Sequence, residues 1–301
     1  MDAREFSASA PERLANVSAM ITTWDSPAFG ANLTDLAPRL RIIAHCGGEV
    51  KRRFNASLFD RLTITNAPIP MARPTAELGA ALLLYCARNI DAYRAELRRK
   101  SNRIYQVAHL TGGGIETLAG REVSLIGFGR IGRALVNLLV GFDIRWLVYD
   151  PYAPRELAEG HVVTFAPLRS VLQRGHLLVL TAAATSETQG MLSARRLAMM
   201  PDHAAIINIA RGSLLDLESL TEEVRRGRLR CALDVTDPTE PLPLDHPLRT
   251  MPGAIVTPHI AGGGRQVRGE IADTVIDDLT RFFIGRPVRN RVTRDMLERM
   301  T

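Results

Sequence analysis

The sequence predicts a two-domain α/β protein whose larger unit carries a parallel sheet, and three observations lead there. The chain has 301 residues, long for one ordinary core and suited to two. From residue 115 onward, short apolar runs alternate with amphipathic helical stretches, the pattern of parallel strands joined by helical crossovers. Gly127, Gly129 and Gly132 form a Gly-x-Gly-x-x-Gly motif directly after the first of these runs, where a strand would turn into a helix.

Taken in order, the first 70 residues form a smaller α/β unit. Apolar runs at 19–22, 40–44 and 62–65 read as strands, with helical pieces at 12–15 and 31–37. Pro74 suits the first position of a long helix, where its missing N–H costs nothing, and Leu78, Leu82, Tyr85 and Cys86 give that helix an apolar face. The helix is expected to run on into the arginine-rich stretch 94–100, and 101–117, with its glycines at 112–114, to act as a linker. Six strands follow at 123–126, 146–149, 177–181, 205–209, 231–235 and 254–257. Runs this short and this apolar are buried on both faces of a sheet. Ser193 is the expected N-cap of a helix at 194–199, and Asp216 that of a helix at 217–226 stopped by Gly227. Val267, Ile271, Val275, Leu279 and Phe282 make one stripe on a final helix that Gly285 and Pro287 end. The two long helices are the expected crossings between a smaller domain, 1–75 with 261–301, and a larger one, 76–260.

Composition removes several function classes. Hydrophobic residues at 46% and charged residues at 23% exclude wholesale disorder. No apolar run approaches the ~20 residues that span a bilayer, and the first 30 residues show no secretory pattern. Cys46, Cys86 and Cys231 are odd in number and in no metal spacing, which points to reduced thiols in a cytoplasmic protein without a metal. The net charge is +6, but only Lys51 and Lys100 are lysines, the arginines are interspersed with acids, and aromatic content is 5%. A nucleic-acid or membrane partner is therefore not expected; anionic small molecules are.

The glycine motif carries the strongest local chemistry. Its first glycine makes the tight turn, its second lets backbone N–H groups approach a pyrophosphate, and its third lets helix and strand pack closely. Asp150 lies at the end of the next apolar run, where a carboxylate holds both ribose hydroxyls. A carboxylate there repels a 2′-phosphate, so NAD is favoured over NADP, although Arg155 is near in sequence. Arg211, Asp234, Glu240 and His259 all lie toward or just beyond the carboxyl ends of expected parallel strands, the edge at which open α/β sheets bind ligands. Singly each reads as a surface charge, a cap or a loop histidine. Together a guanidinium, a carboxylate and an imidazole at one sheet edge are a toolkit for reducing a 2-oxo acid.

Several stretches then resemble the D-2-hydroxyacid dehydrogenase family over roughly residues 17–293. They are Leu-Ala-Gly-Arg-Glu-Val-Ser-Leu-Ile-Gly-Phe-Gly-Arg-Ile-Gly at 118–132, Asn-Ile-Ala-Arg-Gly-Ser-Leu-Leu-Asp at 208–216 and Ala-Leu-Asp-Val at 232–235. Glu-Pro-Leu-Pro at 240–243, Thr-Pro-His-Ile-Ala at 257–261, and Thr-Asn-Ala at 65–67 followed by Thr-Ala-Glu at 75–77 complete the set. The resemblance implies a Rossmann-type NAD-binding domain beside a smaller flavodoxin-like substrate domain, a homodimer, and hydride transfer between NAD(H) and a small 2-oxo acid such as hydroxypyruvate, glyoxylate or a phosphoglycerate-like acid. It implies that Arg211 binds the substrate carboxylate and polarises the carbonyl, that His259 is the general acid, and that Glu240 is the carboxylate paired with it. Arg130 and Ile131 then contact phosphate through their backbone, and Thr181, Ala210 and Asp234 meet the cofactor. Cys46, Gly47 and Gly48 offer N–H groups to the substrate carboxylate.

The chain also departs from the family pattern. Only about 18 residues precede the strand at 19–22 where members have some 40, so the smaller sheet is expected to lack a strand and expose an edge. The loop reads Gly-Gly-Glu-Val-Lys at 47–51 instead of Gly-x-Gly-x-Asp, Met71 stands where Asn is frequent, and the step from Val235 to Glu240 is one residue longer, which makes Asp237 a rival for the carboxylate. Lys51 and Arg52 raise the prospect of a doubly charged substrate. The alternative function is an NAD(H)-binding regulator or redox sensor on the same fold, with a damaged substrate domain.

Overall fold

The computed structural model describes residues 13–98, 103, 106, 109 and 117–300. The helical piece expected from residue 12 and the linker expected at 101–117 fall partly or largely outside the described residues. The chain divides into two compact units, one running to Met71 and resuming at Gly264, the other Ala72–Gly263.

In the first unit β1 (Ala19–Thr22), β2 (Ile42–His45) and β3 (Thr63–Asn66) run parallel, with α1 (Leu33–Leu36) and α2 (Leu58–Arg61) between them. β1 begins and ends where the sequence predicts, whereas β2 and β3 start one to two residues later. Leu40 and Leu62 serve the core from the preceding loops, packed with Phe29, Phe54 and Ile64.

The next helix starts earlier than its proline suggested. α3 (Ile69–Ala87) encloses Pro74 in its interior instead of starting with it, and Pro70 stands at its second position, in the first turn where a missing N–H costs little. The helix does not run through to residue 100. Asn89 adopts a left-handed φ of 50°, a conformation asparagine tolerates, and a separate α4 (Ile90–Arg98) follows. Arg230 fixes the break, donating from Nη1 to the Cys86 carbonyl at 2.9 Å and to Asn89 Oδ1 at 3.2 Å.

The second unit holds β4 (Glu122–Ile126), α5 (Arg130–Leu138), β5 (Arg145–Tyr149), β6 (Val163–Phe165), α6 (Leu168–Arg174) and β7 (Leu177–Leu180). After these come α7 (Ala194–Leu197), β8 (Ala204–Asn208), α8 (Leu217–Arg225), β9 (Leu229–Leu233) and β10 (Ala254–Val256). Its seven-stranded parallel sheet has the order β10-β9-β8-β7-β4-β5-β6, one strand more than the sequence reading found. The extra strand, β6, is three residues long and only partly buried, too short to show a pattern. Alternate residues of the central strands feed two separate cores. Leu177, Val179, Ala205 and Ile207 pack toward Leu83 and Leu135, while Leu178, Leu180, Ala204 and Ile206 pack toward Val171, Leu220 and Val224. Burial on both faces is why these strands read as continuous apolar runs.

Caps explain the helix limits unevenly. Asp216 caps α8, its Oδ1 accepting from Ser219 N at 3.0 Å, as predicted. Ser193 stands at the N-cap of α7 but makes no side-chain bond there. The sheet order reverses where β4 lies between β5 and β7, and ligands of open α/β sheets bind beyond the carboxyl ends at such a switch.

The chain returns to the first unit with α9 (Arg265–Phe283) and β11 (Arg291–Val292). α9 belongs wholly to that unit and is not a crossing. Val267, Ile271 and Val275 are buried against Ala44 and Ala67, but Phe282 lies under the Arg41 guanidinium instead of in the core. β11 pairs antiparallel with β3, giving the order β1-β2-β3-β11, with β1 at an edge among the described residues. Asp278 secures this return: its buried carboxylate accepts from Arg289 N at 2.6 Å and from Asn290 Nδ2 at 2.9 Å.

Candidate active site

The glycine turn sits on the switch in the larger sheet. Gly127 has φ of 97°, and a Cβ there would lie 2.5 Å from the Ala182 nitrogen, so no other residue fits. A Cβ on Gly132 would lie 2.4 Å from the Gly127 carbonyl oxygen, which is the close helix–strand packing predicted for the third glycine. Thr181 donates from Oγ1 to that same carbonyl at 2.7 Å, so its side chain shapes the turn. In front of Gly129 the space is open, with no atom within 4 Å of a would-be Cβ. Gly129 is also the N-cap of α5 and supplies no side-chain acceptor, so the first-turn N–H groups, those of Arg130 and Ile131 among them, have no side-chain cap. Open space before uncapped N–H groups at a helix N-terminus fits a pyrophosphate.

Asp150, at the end of β5, anchors the turn from the other side. Oδ2 accepts from Phe128 N at 2.7 Å, and Oδ1 from Tyr152 N and Ala153 N at 2.9 and 3.0 Å. These bonds orient the carboxylate at the end of β5, where the sequence places the group expected to meet a ribose. The Arg155 guanidinium lies 3.8 Å from the centre of the Phe165 ring, occupied in stacking.

A second cluster forms beyond β8, β9 and β10. Asn208, fully buried, accepts from Ala210 N at 3.0 Å and donates to the Arg211 carbonyl at 2.9 Å, which folds the turn that presents Arg211. The Arg211 guanidinium in turn donates to the Ala210 carbonyl at 2.7 Å. Gly212 presses on the loop after β9: a Cβ there would fall 2.1 Å from the Thr236 carbonyl carbon. That loop carries Glu240, whose Oε1 accepts from Thr236 N at 3.2 Å and whose Oε2 lies 2.8 Å from His259 Nδ1. Glu240, not Asp237, therefore faces the imidazole despite the longer spacing. The His259 side chain is 45% exposed, so the ring is open to solvent while Nδ1 is held. Its backbone takes a φ of 53°, strain of the kind that persists when neighbouring bonds enforce it.

Asp234 supplies that enforcement. Its buried carboxylate accepts from Thr257 Oγ1 at 2.6 Å and from Ile260 N and Ala261 N, each at 2.9 Å, while its carbonyl accepts from His259 N at 2.9 Å. The residue expected beside the cofactor is first of all the staple of the histidine loop.

In the first unit, the Cys46–Gly48 loop follows β2. Cys46 corrects an expectation: its N–H continues the sheet ladder to the Thr22 carbonyl at 2.8 Å and is not available to a ligand. Gly47 N–H and Gly48 N–H have no acceptor among the described residues, while the two carbonyls are held by Ala67 N and Asn66 Nδ2, both at 2.9 Å. Burial raises the Cys46 thiol above its ordinary range, so it stays protonated. Glu49 folds back to accept from Arg52 N at 2.6 Å, and Lys51 and Arg52 are exposed. Among the described residues no cluster of three or more His, Cys, Asp or Glu side chains could hold a metal.

Comparison with known proteins agrees with this geometry. The family model described as D-isomer specific 2-hydroxyacid dehydrogenase, NAD binding domain, matches residues 80–261. The chain belongs to that family. As a 2-hydroxyacid dehydrogenase it is 27% identical over 294 residues to a glyoxylate reductase of Korarchaeum cryptofilum, covering 95% of this chain and 86% of the relative. It is 30% identical over 264 residues to a D-3-phosphoglycerate dehydrogenase of Methanocaldococcus jannaschii, covering 87% of this chain but only 49% of that protein, so it spans about half the length of such relatives. The crystal structure of the TT0316 protein from Thermus thermophilus superposes with a TM-score of 0.79 at 30% identity, over 95% of this chain and 89% of the other. The dehydrogenase is thus an NAD-linked oxidoreductase of 2-hydroxy acids, and no helix among its described residues is long and apolar enough to cross a membrane.

Sequence reasoning missed two parts of the dehydrogenase site. Asn208 heads the Asn-Ile-Ala-Arg-Gly stretch, and a buried asparagine at a strand end was the available signal. Gly212 was passed over because only the fold brings Thr236 against it.

Proposed function

We propose that this dehydrogenase interconverts a small 2-oxo acid and its D-2-hydroxy acid, of the hydroxypyruvate, glyoxylate or phosphoglycerate-like class, with NAD preferred to NADP. The observation that carries the reading is the Glu240–His259 pair, 2.8 Å apart, with Glu240 on a loop that Gly212 locks to the Arg211 turn. The names of the relatives support glyoxylate and a phosphoglycerate-like acid. Arg211 binds the acid's carboxylate and polarises the C2 carbonyl, a task suited to a planar fork of donors. His259, with Nδ1 on Glu240, protonates the carbonyl oxygen from Nε2 and takes the proton back from the C2 hydroxyl in reverse. When bound, NAD(H) supplies or accepts the hydride at nicotinamide C4. Asp150 disfavours a 2′-phosphate, and Arg155 is engaged with Phe165.

The proposal includes a cytoplasmic homodimer. All three cysteines are unpaired thiols, and α4 buries none of its residues, leaving Ile90 and Leu97 exposed. The test is NADH oxidation with glyoxylate, hydroxypyruvate, pyruvate and 2-oxoglutarate. At least one acid is turned over, and His259→Ala lowers its kcat by roughly a hundredfold or more. NADH binding without turnover of any acid, unaltered by that substitution, would overturn the reading and leave an NAD(H)-binding regulator.

A further inference from the structure

Thr257, the residue after β10, has no part in the steps above, yet its hydroxyl meets a buried charge. Oγ1 donates to Asp234 Oδ1 at 2.6 Å, the length of a charge-assisted bond. Asp234 is 1% exposed, and a carboxylate so buried is expensive to hold unless donors answer it. Of the donors that do, Ile260 N and Ala261 N belong to the backbone, so Thr257 supplies the bond that a side chain makes. Thr257 and Ile260 share Oδ1, and loss of the hydroxyl therefore loosens the oxygen that also holds Ile260. The chain wraps closely around this carboxylate. Thr257 N donates to the Leu233 carbonyl at 2.9 Å, Pro258 has no N–H to give, and His259 N reaches the Asp234 carbonyl at 2.9 Å and the Thr257 carbonyl at 3.1 Å. Asp234 is fixed in turn, its own N–H on the Asn208 carbonyl at 2.9 Å. Inside the wrap His259 keeps its left-handed φ of 53°, a conformation that is costly for a residue with a Cβ. All of these residues lie in the second unit.

We infer that Thr257 is a positioning residue for the reaction, its hydroxyl holding the histidine loop in the strained form that keeps the His259 imidazole on Glu240. This deepens the reading of His259 as the general acid and rests on it. The action runs through Asp234 and the backbone. Thr257 steadies Oδ1, the two carboxylate oxygens hold the N–H groups of Ile260 and Ala261, and those N–H groups fix the residue before them. Glu240 sits on a different loop, so its 2.8 Å contact with Nδ1 lasts only while the His259 backbone stays where it is. A proton donor that drifts from its place loses rate steeply, because transfer depends on the distance and angle at which it meets the substrate. If Thr257 only filled space, valine would serve as well, since it has the shape of threonine without the hydroxyl.

The decisive variants are Thr257→Val and Thr257→Ser. With the 2-oxo acid that the wild type turns over best, Thr257→Val should lower kcat by about tenfold, the size of one bond to a charged group. NADH affinity should stay within about twofold, because the glycine turn lies at the end of another strand. Thr257→Ser keeps the hydroxyl and should recover most of kcat. NADH deuterated at nicotinamide C4 gives an independent reading. In Thr257→Val the chemical step is slowed, so the isotope effect on kcat should exceed that of the wild type, whereas a mere loss of folded protein leaves it unchanged. Should the valine variant not fold, Thr257→Ala takes its place in the comparison with serine. Full kcat in the variant without the hydroxyl, a serine variant just as slow, NADH affinity that falls in step with kcat, or an unchanged isotope effect overturns the inference while His259 remains the acid. A His259→Ala enzyme as active as the wild type would remove the underlying reading and the inference with it.

Discussion

Lowering the pH should destabilise the first unit through one residue, His45. Its imidazole is buried behind β2 with Phe54 edge-on to it at 5.9 Å, and burial followed by the Arg53 charge hold its pKa at about 4 against 6.5 for a free ring. The unfolded chain therefore takes up a proton at a higher pH than the folded one. The stability that comes from keeping the ring neutral is complete above about pH 6.5 and is lost as the pH falls toward 4. Linkage between those two values gives a loss of about 2 kcal/mol at pH 5 and about 3 kcal/mol at pH 4, relative to pH 7.5. The two tryptophans make the measurement selective, because Trp24 lies in the first unit and Trp146 in the second. In a Trp146→Phe background, urea unfolding followed by Trp24 fluorescence from pH 7.5 to 4.5 reports the first unit. His45→Gln in the same background should flatten the pH dependence by that amount. Parallel stability curves for the two proteins would show that the buried imidazole does not govern acid sensitivity.

Three further outcomes follow from named contacts. Gly132→Ala forces a methyl group to within 2.4 Å of the Gly127 carbonyl oxygen, and NADH titration should show at least about tenfold weaker binding, whereas unchanged affinity would contradict the close packing. Glu240→Gln removes the charge beside His259 Nδ1 and should reduce kcat roughly tenfold to a hundredfold in steady-state assays; full activity would assign the pairing to structure alone. Asp278→Ala leaves Arg289 N and Asn290 Nδ2 without their acceptor and should cost about 1–3 kcal/mol in the Trp24-reported unfolding, with equal stability counting against the role given to β11.

Legibility in the sequence followed burial and local geometry. Six strands of the second unit were readable because each is a mostly apolar run whose alternate residues reach two apolar layers. β6 and β11 were not, since Val-Thr-Phe and Arg-Val mix polar with apolar residues in too few positions to mark a run, and β11 exists only where Asp278 and β3 receive it. Pro74 misled because a proline inside a helix and one at its start look alike without the neighbours, and Pro70 was the better candidate only in hindsight of the packing. The glycine turn, Asp150, Arg211, Glu240 and His259 stood out because their chemistry depends on residue type and short spacing. Asn208, Gly212 and the staple made by Asp234 did not, because their partners lie at other strand ends. Cys46 shows the same limit in reverse: its position in the loop was legible, but the Thr22 carbonyl that takes its N–H was not.

By itself, then, the sequence determined the α/β class, the nucleotide turn and the identity of the reacting groups, because helical and strand periodicity and side-chain chemistry are properties of neighbouring residues. Tertiary structure alone decided that Glu240 and not Asp237 meets His259, that Asp234 bends the histidine loop, and that the Thr257 hydroxyl reaches Asp234. Each of those depends on bringing together segments separated by many residues, and a hydrogen bond formed across such a distance leaves no mark on the local sequence at either end.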